Sequence, residues 1–423
     1  MRVLFSILPW LLPAVPLCSM GASPERLNVL MLIADDLRND LGCYGSVKAI
    51  TPNLDRLATR SVIFDRAYCQ QAVCWPSRNS FFSGLRPERL KKTNSTETFR
   101  TSFPEQVSLP EWFKTHGYFT RGLGKVLHNG QDDPQSWSEP LYEPPPLHYA
   151  KTENVGKHPI INKSVPENRV NPLFESADVD DEGYEDGLTA SETISTLRRL
   201  AGDEKPFFLM AGFHKPHTPF NAPKKYWDWY EPDNLALAAN PFPPESVPEK
   251  YALLDWPYVR SFAGIPQSGP MPNHLARQVR HAYLACVSYV DAQVGRILET
   301  VDELGLSQST IIVVTSDHGY QLGEHGLWSK HTNFELATRV PLLVSVPGHA
   351  NGRTEALTEL VDLYPTLAEV CGLPKPKTDG RSFAKVLRDP SAIHRETAMS
   401  TFPRAGARGW SIRTAEVRYT EWR

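Results

Sequence analysis

Three short stretches hold the side chains best suited to chemistry. "NVLMLIADD" ends on Asp35 and Asp36, and "STIIVVTSDHG" ends with Asp317 and His318. Neighbouring acids repel unless a cation or proton lies between them, so three carboxylates beside an imidazole invite a divalent ion. Oxygen-rich sets favour calcium or magnesium over zinc. One acid pair alone reads equally well as a solvated turn; the second pair, placed the same way, turns the reading toward a metal site. The third stretch, "AVCWPSRNSFFSGLRP", covers residues 72–87. Pro76 suits the first position of a helix, which puts Cys74 just before the helix mouth. Free amides and a partial positive charge there suit a tetrahedral oxyanion. Arg78, one turn on, adds a planar cation that can bind such an oxyanion or orient a nucleophile. A thiolate is soft and a poor calcium ligand, so the site asks for oxygen where the chain supplies sulfur.

The elements that must position these groups follow from the apolar patterning. "NVLMLIADD", "KPFFLMAGFHKPH" and "STIIVVTSDHG" are each an apolar run followed by polar groups, as in buried parallel strands. "SVIFDRAYC" and "RVPLLVSVPG" read as further strands. "TPNLDRLATRS" reads as a short helix, with Thr51 as N-cap and Pro52 at the first position. Val287, Val290, Val294, Ile297 and Val301 recur at helical steps between Ala282 and Leu304, with Gly305 placed to close that helix. Strands alternating with helices predict a large, mainly parallel sheet flanked by helices, an α/β class. Ligands bind beyond the carboxyl ends of such strands, and Asp35, Asp36, His214, Asp317 and His318 all fall there.

A chain of 423 residues with 41% hydrophobic side chains can bury one large domain, or a large and a small one. The formal charge of −3 gives no reason to expect nucleic acid, so a positive field for an anionic ligand must be local. Prolines crowd the regions from Pro134 to Pro166 and from Pro219 to Pro272, which read as long ordered loops. The opening "MRVLFSILPWLLPAVPLCSMGAS" has the layout of a signal peptide. It is too short and too proline-broken to span a membrane, which takes about 20 apolar residues. The expected location is therefore an exported compartment: periplasmic, secreted or lysosome-like. The cysteines are not spaced as a disulfide framework, and Cys43, Cys286 and Cys371 read as small core residues. The tail "GWSIRTAEVRYTEWR" alternates like a hairpin. Asn94 and Asn162 begin N-glycosylation sequons, which matter only in a host that makes such glycans.

"CWPSR" matches the C-x-P-S-R signature of the formylglycine-dependent sulfatases, and the chain resembles that family from Asn28 to Trp422. Within the family it most resembles the iduronate-2-sulfatases. The resemblance rests on "ADDLRNDLGCYG", "TPNLDRLA", "QQAVCWPSR", "GKVLH", "GFHKPHTPF", "VSYVDAQVGRIL", "SDHGYQLGEHGLWSKHTNFELATRVPLL", "DLYPTLA" and "SIRTAEVRYTEW". It implies an alkaline-phosphatase-like sandwich. Residues 1–23 are then a signal peptide, 24–390 the catalytic domain, and 391–423 the start of a small C-terminal subdomain, cut short.

The resemblance also implies roles. Cys74 becomes Cα-formylglycine through a maturation enzyme. Asp35, Asp36, Asp317, His318 and the modified Cys74 form a calcium site. Arg78 partners the formylglycine hydrate. Lys125 binds sulfate, and His128 assists the nucleophile or its later breakdown. His214 and Lys330 bind sulfate, and His214 or His128 protonates the departing oxygen. The implied reaction is hydrolysis of a sulfate ester on a sulfated sugar, with the 2-O-sulfate of a uronic acid at a chain end as the expected substrate. Lys330, His331 or Arg339 is expected to meet the uronate carboxylate. His217 reads as a backbone-binding residue, and Lys215 in the same bland way. Two rival readings stand beside this one: a phosphonate or phosphate ester hydrolase on the same frame, and a calcium-stabilised glycan-binding protein with an unmodified Cys74.

Overall fold

The computed structural model describes residues 26–90, 97–154, 171–245, 259–404 and 406–423. The expected signal peptide, both sequons and parts of the two proline-rich regions lie outside them.

The central sheet is built from β1 (Asn28–Ala34), β2 (Val62–Phe64), β3 (Phe119–Gly124), β4 (Phe207–Gly212), β5 (Thr310–Ser316), β6 (Leu342–Ser345) and β7 (Gly352–Thr354), in the order β7-β2-β6-β5-β1-β4-β3. Four of its six pairings are parallel; β6 runs antiparallel to both neighbours, so the sheet is mixed. β1 is continuously apolar because both of its faces are covered. Leu30, Leu32 and Ala34 pack into one core with Val287, Val290, Val294, Ile297 and Val301. Val29, Met31 and Ile33 pack into a second core with Phe81, Phe82, Phe113 and Leu367. The first face carries α4 (Glu185–Leu200) and α5 (Asn273–Glu303); the second carries α2 (Cys74–Ser83), α3 (Leu109–Thr115) and α6 (Leu363–Val370). The short helix α1 (Pro52–Ala58) begins where expected, with Thr51 as its N-cap and Pro52 first.

Three boundaries differ from the sequence reading. "SVIFDRAYC" is two strands, because after Phe64 the chain leaves the central sheet and Ala67–Tyr68 pairs elsewhere. Helix α5 starts at Asn273, nine residues before the expected start; its first turns carry His274, Arg277 and Arg280 between the buried Leu275, Ala276 and Val279, which blurs the apolar stripe. Helix α2 starts at Cys74, with Val73 extended as its N-cap. Pro76 is thus the third helical residue, still within the turn whose amides have no intrahelical partner.

The chain end forms an antiparallel sheet of β8 (Ala398–Arg404), β9 (Ala407–Arg413) and β10 (Arg418–Trp422), the last two making the expected hairpin. It is tied to the main body by Thr401 N–H on Gln70 O at 2.8 Å and by Asn333 Nδ2 on Gly409 O at 3.0 Å. Strand register sets the active end. Ala34 lies opposite Ser316, and Ile33 opposite Gly212, so the residues after β1, β4 and β5 emerge at one level.

Candidate active site

Nine of the ten residues of helix α2 are buried, five of them the polar Ser77, Arg78, Asn79, Ser80 and Ser83. Buried polar groups need partners, so such a helix marks a built polar site. Ser77 Oγ donates to Asp317 O at 2.5 Å. Asn79 donates through Nδ2 to Gln131 Oε1 at 3.0 Å, and its Oδ1 accepts Phe99 N–H at 2.7 Å. Arg78 is fully buried; its Nε meets Asp317 Oδ2 at 2.8 Å, while one terminal nitrogen donates to Lys125 O and Val126 O. One guanidinium therefore joins the ends of β3 and β5.

The opposite wall depends on close backbone approach. A Cβ at Gly212 would lie 1.9 Å from Lys125 O, so only glycine lets the chain beyond β3 cross the end of β4. Lys125 then turns inward to pair with Asp35. At the end of β1, Asp36 takes a left-handed backbone, φ 66°, a strained state for a non-glycine residue. It is held by Tyr283 of α5, whose hydroxyl donates to Asp36 O at 2.7 Å and accepts Arg38 N–H at 3.0 Å.

These elements bring the expected residues together. Asp35, Cys74, Asp317 and His318 are all buried, each offering a ligand atom within 4.8 Å of the others. Cys74 Sγ lies 3.4 Å from Asp35 Oδ1 and 3.0 Å from Lys330 Nζ. Lys330 Nζ also meets Asp36 Oδ1 at 2.7 Å, and His318 Nδ1 stands 3.3 Å from that same oxygen. His318 Nδ1 lies 3.0 Å from Gly319 O, a carbonyl that only accepts, so Nδ1 carries the proton and Nε2 turns to the cluster.

The electrostatics follow from burial and pairing. Burial works to raise Asp35, but Lys125, His217, Lys330 and Arg78 together hold it well below the usual carboxylate range. Burial and the Asp35 charge push Asp36 up to about 7 against the pull of Lys330. Burial opposes charge on His318, yet Asp317 and Cys74 raise it to about 9. Lys330 is held well above its ordinary value by Asp36, Cys74 and Asp35 despite burial. Three acids (Asp35, Asp36, Asp317) face three bases (Lys125, Lys330, Arg78), so a divalent cation would leave net positive charge to receive an anion. The donor set fits one: carboxylate oxygens dominate, Asp36 Oδ2 is buried without a hydrogen bond, and His318 turns Nε2 to the cluster, where a cation would displace the proton that Asp317 and Cys74 hold there.

Beside the cluster opens a cleft of about 390 Å³, lined among others by Lys125, His128, Asn129, His148, Glu185 and His214. Burial and the Lys125 charge push His128 down to about 3. His214 is also pushed down to about 3, by burial and Lys125, against the opposing pull of Glu185. The two histidines of "GFHKPH" part company. His214 Nδ1 stands 3.1 Å from Glu185 Oε2 on the cleft side. His217 offers a ring nitrogen within 4.8 Å of carboxylate oxygens of both Asp35 and Asp36. Its Nδ1 lies 2.6 Å from Thr218 O, so the backbone contact expected of it is present, and the ring faces the cluster as well. Lys215 Nζ donates to Pro219 O at 2.6 Å, the bland role expected.

Sequence reasoning passed over Glu185, Asp186 and His148. Asp186 accepts the backbone N–H groups of His214 and Lys215, at 2.7 and 2.8 Å, and so fixes the turn after β4. The pair Glu185–Asp186 was a visible signal, but acids in the first turn of a helix are ordinarily explained by the helix dipole. Of the residues expected to meet a uronate, Lys330 is in the cluster, while His331 accepts at its carbonyl from Arg404 at 2.7 Å and Arg339 lies opposite Tyr68 in a short antiparallel pairing.

The sulfatase family profile matches residues 27–373. Iduronate 2-sulfatase of Mus musculus is 36% identical over 95% of this chain and 86% of its own length. That of Homo sapiens is 34% identical over the same shares. Among solved structures, phosphonate monoester hydrolase SpPMH from Silicibacter pomeroyi superposes with a TM-score of 0.74 at 23% identity, covering 94% of this chain and 87% of that one. The last likeness carries the alkaline-phosphatase-like fold alone. Because the family match spans most of the sequence and the signature cysteine sits among buried acids and bases at the tips of such a sheet, this chain belongs to the sulfatase family and is a sulfuric ester hydrolase.

Proposed function

We propose that the chain removes the 2-O-sulfate of an iduronate-type uronic acid at the end of a sulfated glycan, in an exported compartment. The observation carrying the substrate is the 36% identity to the mouse iduronate 2-sulfatase over 95% of the chain. Position 74 works as Cα-formylglycine, installed by a separate maturation enzyme, and Asp35, Asp36, Asp317, His318 and the modified residue hold calcium. In those forms the ion supplies Lewis acidity, and the formylglycine hydrate supplies an oxygen nucleophile with a second hydroxyl able to expel sulfate.

The chain's own groups do the rest. Lys125 and Lys330 reach inward from opposite sides and neutralise charge on the sulfuryl oxygens. Arg78, locked by Asp317 and the Lys125 carbonyl, fixes the mouth of α2 and the orientation of residue 74. His217, against Asp35 and Asp36, adds a contact on the sulfuryl side. His128, kept neutral by burial and the Lys125 charge, can accept a hydrogen bond from the nucleophile and orient it. His214 lies where the sugar must enter. The negative charge of a bound sulfate ester, with Glu185 behind the ring, raises the proton affinity of His214, so it takes up a proton from solvent as substrate enters and passes it to the departing oxygen.

Two measurements test the reading. Mass spectrometry of the peptide containing residue 74, with an aldehyde-reactive probe, should find formylglycine; an intact thiol beside glycan binding without turnover would make the chain a binding protein. Rates on matched sulfate and phosphate monoesters should favour sulfate. Equal release from aryl sulfates and unrelated sulfated sugars would sink the uronate assignment.

A further inference from the structure

Outside the sulfate-facing cluster, one histidine that lines the cleft, His148, has no role in the chemistry above. Glu185 stands between two imidazoles: its Oε2 is 3.1 Å from His214 Nδ1, and its Oε1 is 3.0 Å from His148 Nδ1. His148 comes from the proline-rich segment after β3, far from Glu185 in sequence. That segment is pinned where it passes the cleft. Buried Glu175 accepts Ala150 N–H at 2.7 Å, Asn154 Nδ2 at 2.7 Å and Tyr184 Oη at 2.9 Å. Tyr149 Oη donates to Pro172 O at 2.8 Å, and Asn221 Nδ2 donates to His148 O at 2.5 Å. With Tyr142 O accepting Gly124 N–H at 2.7 Å upstream, bonds before and after His148 thus hold its backbone in place beside the cleft.

We propose that His148 is a specificity-determining residue, whose Nε2 accepts a hydroxyl group of the sugar that bears the sulfate. An ionised carboxylate only accepts, so the ring nitrogen beside Glu185 is the donor, and in the neutral ring Nε2 is the acceptor. Against burial, the His214 contact and the hydrogen bond from His148 hold Glu185 down at about 2, so it is ionised. A carboxylate behind an imidazole also strengthens the far nitrogen as an acceptor, as it does for metal-bound histidines. A site built to take a hydroxyl discriminates strongly against an analogue that lacks it, because its own polar group is then left unpaired.

The inference rests on the sugar reading above. The test uses the full-length mature enzyme with a 2-O-sulfated uronic acid glycoside, its monodeoxy analogues and an aryl sulfate. For wild type, kcat/KM should fall about tenfold on one deoxy analogue, the scale of one lost hydrogen bond. In His148→Ala that difference should vanish, and the loss on the sugar should exceed the loss on the aryl sulfate by a similar factor, mainly through KM. His148→Gln, which keeps an acceptor oxygen, should restore part of it. Equal losses on sugar and aryl sulfate, or undiminished sensitivity to the deoxy analogue, would overturn the role of His148. A wild type showing no preference for the sugar over the aryl sulfate would overturn the sugar reading, and the inference with it. The deoxy series on wild type needs no variant to fold.

Discussion

Cys74 Sγ and His318 Nε2 lie 3.3 Å apart, although α2 and the end of β5 are separated by most of the chain. The His318 ring thus turns Nε2 against the side chain that the proposed mechanism converts, where the proposed metal site and nucleophile would meet.

The first consequence concerns residue 74. Cys74→Ser keeps the size of the side chain but removes the thiol that conversion requires. The variant should fold, show no aldehyde by mass spectrometry, and lose turnover by about 10⁴-fold or more, the scale of removing a nucleophile. Full activity would contradict the proposed mechanism.

Calcium should bind the folded chain and not the unfolded one. Chelation should abolish sulfate release, and returning calcium should restore it. Because Asp35, Asp36 and Asp317 converge only in the fold, calcium at a hundred times its dissociation constant should add about 2.7 kcal/mol of stability, read as a rise in Tm. A Tm indifferent to calcium would argue against the site.

Asp317→Asn tests the link between metal site and scaffold. It removes the 2.8 Å partner of Arg78, leaving that buried guanidinium with Asp35 at 3.8 Å as its nearest carboxylate. An uncompensated buried charge costs about 3 kcal/mol or more. Urea unfolding should show that loss together with loss of activity. An inactive variant of unchanged stability would mean that Asp317 serves the metal alone.

His128 gives a pH dependence with a definite sign. Its folded pKa of about 3 lies below its ordinary 6.5. Between those values the unfolded chain binds a proton that the fold refuses, so this residue makes stability fall as pH drops from 6.5 toward 3. Asn in its place should remove up to about one proton from the slope of unfolding free energy against pH in that window. An unchanged slope would show that His128 is protonated in the fold.

How much of this was legible beforehand differs by residue. β1, β4 and β5 were readable because strands buried on both faces are continuously apolar, and their terminal acids and histidines announced the active end. The break after Phe64 was not readable, because an apolar run does not say which sheet a residue joins. The antiparallel course of β6 was equally hidden, since strand direction leaves no mark on composition. The first turns of α5 were masked by Arg280, which is apolar neither in type nor in role: it is buried by pairing with Glu324 at 3.5 Å.

By itself, the sequence picked out the residues that the fold gathers into one buried cluster, because a Cys-x-Pro-Ser-Arg run, two acid-terminated strands and the lysines in "GKVLH" and "WSKHTNF" are local chemical facts. The tertiary structure alone decided which histidine of "GFHKPH" turns to the acids, and that Glu185 joins His214 to His148. Those outcomes depend on strand register and on where a loop is pinned. Both are set by packing between segments distant in the chain, which no local pattern encodes.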